Sequence, residues 1–215
     1  RDAEDPDSIA GKAWWRAAFP EHPYGRRLRG EPETIAAITV ADMEGFVASR
    51  LARDNLVVGV VGDIGAAELA PLLDRTFGGL RAASTPVAVP ETETAATGAV
   101  IIETREVPQS VVVFGAAGIK RDHPDYYAAY ILNHILGGGS FSSRLYREVR
   151  EERGLAYGIY TYLYPLDHAA LIMGGVATQN ERVAETIAII RDEWRRLAED
   201  GATAEELAAA KSYIN

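Results

Sequence analysis

The chain has 215 residues, which at roughly 150 residues per domain fits one large or two small domains. Hydrophobic residues make up 47% and charged residues 25%, a globular balance that excludes a disordered chain. The 22 basic against 31 acidic residues leave a net charge of −9, which argues against a general nucleic-acid binder. No apolar run approaches the roughly 18 residues of a membrane span. Cysteine is absent, so disulfides, thiolate metal sites and cysteine nucleophiles are excluded while the compartment stays open.

Both ends read as cut from a longer polypeptide. Arg1-Asp2-Ala3-Glu4 carries no initiator methionine or signal-peptide core, and Lys211-Ser212-Tyr213-Ile214-Asn215 lies inside a predicted helix. Pro6-Asp7-Ser8 opens a first helix through Ala18, with Asp7 or Ser8 as its cap. A second starts after Thr39, with Met43, Phe46, Val47 and Leu51 as its buried stripe. Residues 56–61, β-branched and unbroken, predict a strand buried on both faces and paired with another. Gly62-Asp63-Ile64-Gly65 turns into a third helix whose apolar face is Leu69, Leu72, Leu73 and Phe77. Residues 81–97, with three proline or threonine-rich clusters and no apolar period, read as an interdomain linker.

Strands are predicted at 99–103 and 110–117. Asp122 and Pro124 open a helix with the stripe Tyr127, Tyr130, Ile131, His134 and Ile135, broken by Gly137-Gly138-Gly139. Residues 140–143 cap a further helix that Gly154 ends in the left-handed conformation. Strands at 155–164 and 169–177 flank a hairpin connection, and Asn180 caps a long helix striped by Val183, Ile187, Ile190, Trp194 and Leu197. Thr203-x-x-Glu206 is a capping box for the last helix. The order predicts an α+β fold, a two-layer antiparallel-rich sheet with helices on one face.

The four histidines, at 22, 123, 134 and 168, lack the spacing that places two metal ligands on one helix face, so no metal site is expected in this chain. His134, on an apolar stripe, reads as a core histidine. Three glycines and Ser140 before a helix start would leave backbone N–H groups uncovered for an anionic or carbonyl ligand, or would simply make a tight turn. The charges from Arg144 to Arg153 read as a mutually paired face, for example Arg147 with Glu151. Arg150 is left over. It lies one turn before Gly154, where the strand bearing Tyr157 turns back. A guanidinium and a phenol there supply directed donors and no base, so they could polarise a carbonyl without activating water.

The segment 137–158, with Leu136-Gly-Gly-Gly, Ser142-Ser143-Arg144-Leu145, Arg150-Glu151 and Arg153-Gly154-Leu155-Ala156-Tyr157, resembles the second-half signature of the pitrilysin/insulinase-type (M16) zinc peptidases. His22-Pro23-Tyr24-Gly25, residues 55–63, Ala177-Thr178 and Glu206-Leu207-x-x-Ala210-Lys211 resemble other stretches of that family, in order. The resemblance implies the fold of mitochondrial-processing-peptidase-like metallohydrolases, with residues 1–80 from a first half and 98–215 from a second. It implies that the chain is the zinc-free segment or partner subunit, inactive alone, and that zinc sits in a zinc-bearing half or subunit. By motif position, Arg150 and Tyr157 match the pair that binds the substrate backbone, with Gly137, Gly138, Gly139 and Ser140 admitting an extended peptide. A non-catalytic scaffold of the same fold is the alternative. For compartment, the expectation favours the bacterial periplasm over the cytoplasm.

Overall fold

The computed structural model describes residues 4–95 and 98–215. The N-terminal Arg1-Asp2-Ala3 reading and positions 96–97 of the predicted linker lie outside the described residues. The chain divides into two compact units: the residues up to Arg27 together with Pro90–Asn215, and Leu28–Val89.

The larger unit is built on an antiparallel sheet of β1 (Gln109–Ala117), β2 (Ala156–Pro165) and β3 (Ala170–Gln179), in the order β1-β3-β2. β2 and β3 form the expected hairpin, closed where Leu166 N–H donates to the Ala169 carbonyl. Alternation along the strands sends side chains to two apolar layers. On one face Val112, Phe114, Ile159, Ile172 and Val176 meet Leu136, Leu145, Val149 and Ile190 from the helices. On the other, Val113, Leu171 and Met173 pack against Trp14, Trp15, Ala18 and Phe19 of α1 (Pro6–Ala18) and its C-cap. Helix α1 therefore adds partial cover to the second face. Its cap is Asp5, which accepts from Ser8 N–H at 2.8 Å, two residues earlier than the expected Asp7 and three before Ser8, because Pro6 takes the first helical position.

The principal helical layer comprises α5 (Tyr126–Asn133), α6 (Arg144–Tyr146), α7 (Val183–Asp200) and α8 (Ala204–Ile214). The glycine run does not break α5. The helix widens into a π turn, His134–Gly138, before a 3-10 turn at Ser140–Ser142. One extra residue per turn rotates the face beyond it. Tyr126, Asn133, Ile135 and Leu136 are buried, while the predicted Tyr127 and Tyr130 are exposed. A second π turn, Arg147–Glu151, continues α6. Its ion pairs are accordingly Arg147 with Glu152 and Glu148 with Arg153, five apart, in place of the expected Arg147–Glu151. Asn180 does not cap α7: its amide donates to the Val107 carbonyl and its Oδ1 accepts from Ser110 Oγ, tying the helix entry to β1. Thr203 and Glu206 form the expected capping box.

The smaller unit contains α2 (Pro32–Ala36), which the sequence reading missed, α3 (Val40–Arg50), capped by Thr39 and Asp42 as expected, and α4 (Ala66–Phe77). Two predicted strands do not form: residues 56–61 and 99–103 have no ladder partner and are largely exposed. Their β-branched composition favours an extended backbone, but among the described residues no strand edge pairs with them. The α3 stripe of Met43, Phe46, Val47 and Leu51 is exposed as well. The stretch predicted as linker is held down at both ends. Thr85 N–H donates to the Ser49 carbonyl and Arg50 to the Thr85 carbonyl, while the His22 ring bonds the Pro90 carbonyl and Ala95 N–H the Ala18 carbonyl.

Candidate functional site

Arg150 and Tyr157 meet. The Arg150 guanidinium carbon lies 4.3 Å from the Tyr157 ring centroid and 4.9 Å from that of Tyr146, with Phe141 at 6.0 Å. Phe141 and Tyr146 pack edge to face at 4.9 Å. Each such cation–ring contact contributes about 0.5–1 kcal/mol where solvent reaches it. Three aromatic rings thereby surround the guanidinium carbon. Among the described residues Arg150 has no carboxylate within ion-pair reach, and the Tyr157 hydroxyl has no hydrogen-bond partner.

Two local irregularities place the pair. Arg150 sits in the second π turn, which Gly154 closes at φ +57° by donating to the Arg150 carbonyl at 3.0 Å. Leu155 N–H then donates to the Val149 carbonyl at 2.7 Å and launches β2. Along β2, Ala156 pairs with Thr178 and Ile159 with Val176, so Tyr157 and Gly158 together oppose Ala177. This β-bulge turns Ala156 and Ile159 to the same apolar layer although they are three apart, and it re-aims Tyr157. The ring ends 85% exposed beside Arg150. Arg150 itself is half-buried, and the pair does not line the cavities of about 300 and 970 Å³ elsewhere in the unit.

The glycines have a packing reason of their own. A Cβ on Gly137 would lie 2.6 Å from Thr161 Oγ1, and one on Gly138 2.6 Å from Asn133 Nδ2, so the π turn lies against β2 only without side chains there. The Gly139 N–H, expected to be uncovered, donates to the His134 carbonyl at 2.8 Å. Ser140, exposed, takes a positive φ of 50°.

The neighbouring Ser142-Ser143-Arg144-Leu145 motif is held by a contact the sequence reading missed. Arg144 Nε and Nη2 reach the two Glu206 carboxylate oxygens at 2.6 and 2.7 Å, and Nη2 also donates to the Gly201 carbonyl at 3.0 Å. Hydrogen bonding from Arg144, aided by the Thr203 backbone, lowers the Glu206 pKa to about 2. This pair joins the start of α6 to the start of α8 and fixes the frame in which Phe141, Tyr146 and Arg150 sit.

Each histidine serves an internal contact. His22 Nδ1 accepts from Tyr24 N–H while Nε2 meets the Pro90 carbonyl, and His168 faces Glu91. His123 lies beside Asp125 and the His134 ring beside Tyr213. Among the described residues, no group of three or more His, Asp or Glu side chains could hold a metal ion, so the residues present do not fit a zinc site.

An α+β module with a three-stranded antiparallel sheet packed against helices is the class that the fold defines. The chain belongs to the peptidase M16 inactive-domain family, whose model matches residues 37–214. It is 30% identical over 214 residues to an uncharacterized zinc protease of Mycobacterium leprae, covering 98% of this chain and 48% of that protein. It is 29% identical over 214 residues to the uncharacterized zinc protease YmxG of Bacillus subtilis, covering 97% and 50%. The crystal structure of a peptidase M16 inactive domain from Pseudomonas fluorescens superposes with a TM-score of 0.88 at 27% identity, covering 99% of this chain and 52% of that one. The chain thus spans about half the length of the curated relatives it matches.

Proposed function

We propose that this chain is the substrate-holding, zinc-free half of an M16-type metallopeptidase, and that it works with a zinc-bearing half on extended peptides. The observation that carries this reading is the Arg150–Tyr157 pair: a guanidinium fixed by three rings, with no carboxylate to neutralise it, beside an exposed phenol. Both groups donate and neither accepts a proton from water at neutral pH. Arranged around a substrate main-chain carbonyl, they would bind its oxygen and stabilise the negative charge that grows there during attack. Because the donors are already oriented, no reorganisation accompanies the reaction. Zinc is assigned to the other half, since the residues here do not fit it, and this chain is assigned no part of water activation. The names of the zinc-protease relatives support the reaction class.

The test is to reconstitute peptidase activity with the zinc-bearing half and to compare Arg150→Ala and Tyr157→Phe with wild type. Removing one preorganised carbonyl donor is expected to lower kcat/KM by about 10²–10³. Wild-type turnover in both variants would refute the assignment. It would favour the scaffold reading, in which the same ring-clamped Arg150 only braces the helix-to-strand turn.

A further inference from the structure

Beneath the glycine run two oxygens have no hydrogen-bond partner, Asn133 Oδ1 and Thr161 Oγ1. Their residues are 7% and 2% exposed, and both atoms are sealed from solvent. Neither water nor any segment packed on the outside of this unit can reach them, so the deficit belongs to the interior itself. A buried polar group left unmatched is destabilising even where the packing around it is close. The two atoms suit each other, since a threonine hydroxyl donates and an amide oxygen accepts. Their residues already touch, because Asn133 Nδ2 donates to the Thr161 carbonyl at 3.3 Å. Turning the amide over would set its oxygen against that carbonyl, so the amide orientation is fixed.

The π turn bears on both groups. The backbone of Gly137 lies against the Thr161 side chain, and that of Gly138 against the Asn133 amide. The turn leads into Ser140, which at φ +50° is the one non-glycine residue at positive φ among the described residues. Phe141, one of the three rings around Arg150, follows directly. A widened helical turn ending in a strained residue is held by its surroundings against its own local preference.

We infer that residues 134–140 form a two-state element. In the seated state Gly137 and Gly138 lie on β2 and the two oxygens stay unpaired. In the second state the glycines lift from β2, Thr161 donates to Asn133 Oδ1, and Phe141 withdraws from Arg150. The use of this element rests on the proposed role of Arg150: a peptide carbonyl binding there selects the seated state. The element itself is defined by Asn133 and Thr161 and can stand or fall without that role.

Relaxation dispersion on the amides of 137–141 tests it in this chain, where millisecond exchange is expected. Thr161→Val keeps the shape and removes the donor, so the lifted state loses its bond. Exchange should fall below a tenth of wild type, and the melting temperature should rise by about 2–6 °C as the unmatched hydroxyl disappears. Thr161→Ser, which keeps the hydroxyl, should keep the exchange. Arg150→Ala takes away the cation that Phe141 faces, and its exchange should grow. Flat dispersion in wild type, or exchange that survives in Thr161→Val, would overturn the inference. A lower melting temperature for Thr161→Val would overturn it too, by marking the hydroxyl as bonded. If exchange follows this pattern while Arg150→Ala cleaves peptide undiminished, the carbonyl-binding role is lost and the two-state turn stands.

Discussion

Replacing Glu206 by Gln separates charge from shape at the joint between α6 and α8. The carboxylate has a pKa of about 2 against an ordinary 4.5 because Arg144 donates to both its oxygens. At about 1.4 kcal/mol per pH unit, the ionised form contributes roughly 3 kcal/mol at neutral pH. The depressed folded-state pKa fixes the sign: the contribution is complete above pH 4.5 and disappears as pH falls toward 2. Arg144 stays largely buried in the variant and keeps its bond to the Gly201 carbonyl, so its charge is left with neutral partners only. Glu206→Gln should therefore unfold about 3 kcal/mol more easily at pH 7, with the gap narrowing to about 1 kcal/mol at pH 3. Urea titration followed by tryptophan emission measures this. The three tryptophans, Trp14, Trp15 and Trp194, all belong to the unit that contains the pair. A gap of the same size at both pH values, or none at pH 7, would refute the electrostatic account.

Gly137→Ala should lower stability by about 1–3 kcal/mol, because the new methyl meets Thr161 side chain and backbone within 3.0 Å; thermal unfolding checks it. Gly154→Ala should cost about 1 kcal/mol through its φ of +57° although the space is open. Gly158→Ala, also in open space and without that backbone constraint, should be neutral or slightly stabilising in the same assay. Thr203→Ala should cost about 1 kcal/mol by removing the hydroxyl that accepts from Glu206 N–H, measurable as a shift of the urea midpoint.

What the sequence disclosed was whatever is encoded locally. Thr39 with Asp42, Thr203 with Glu206 and Gly154 each announce a helix end through their own chemistry, and all three stand where expected. The strands of the hairpin and the long stripe of α7 follow from periodicity alone. Two kinds of information were hidden. Phase was lost at the π turns, since a 3.6-residue template carried through residues 134–138 aims Tyr127 and Tyr130 inward when Tyr126 and Asn133 are the buried pair. Partnership was lost at 56–61 and 99–103, where composition calls for a strand and says nothing about its neighbour. Arg144 and Glu206 lie 62 residues apart, and no local rule joins them. The aromatic clamp was partly legible: Tyr146 precedes Arg150 by four positions, the spacing that stacks side chains on one helix face.

The doubled position at Tyr157 and Gly158 also constrains how this stretch can change over generations. A single surplus residue between Ala156 and Ile159 is absorbed at the bulge, so the faces of the flanking ladder are kept while Tyr157 is re-aimed. Deleting one of the two would leave a regular ladder, with Ala156 and Ile159 still opposite Thr178 and Val176, and would remove the bulge that aims Tyr157 toward Arg150. Within this family, then, the count of residues between Gly154 and the hairpin should be guarded more strictly than most of the letters that fill it.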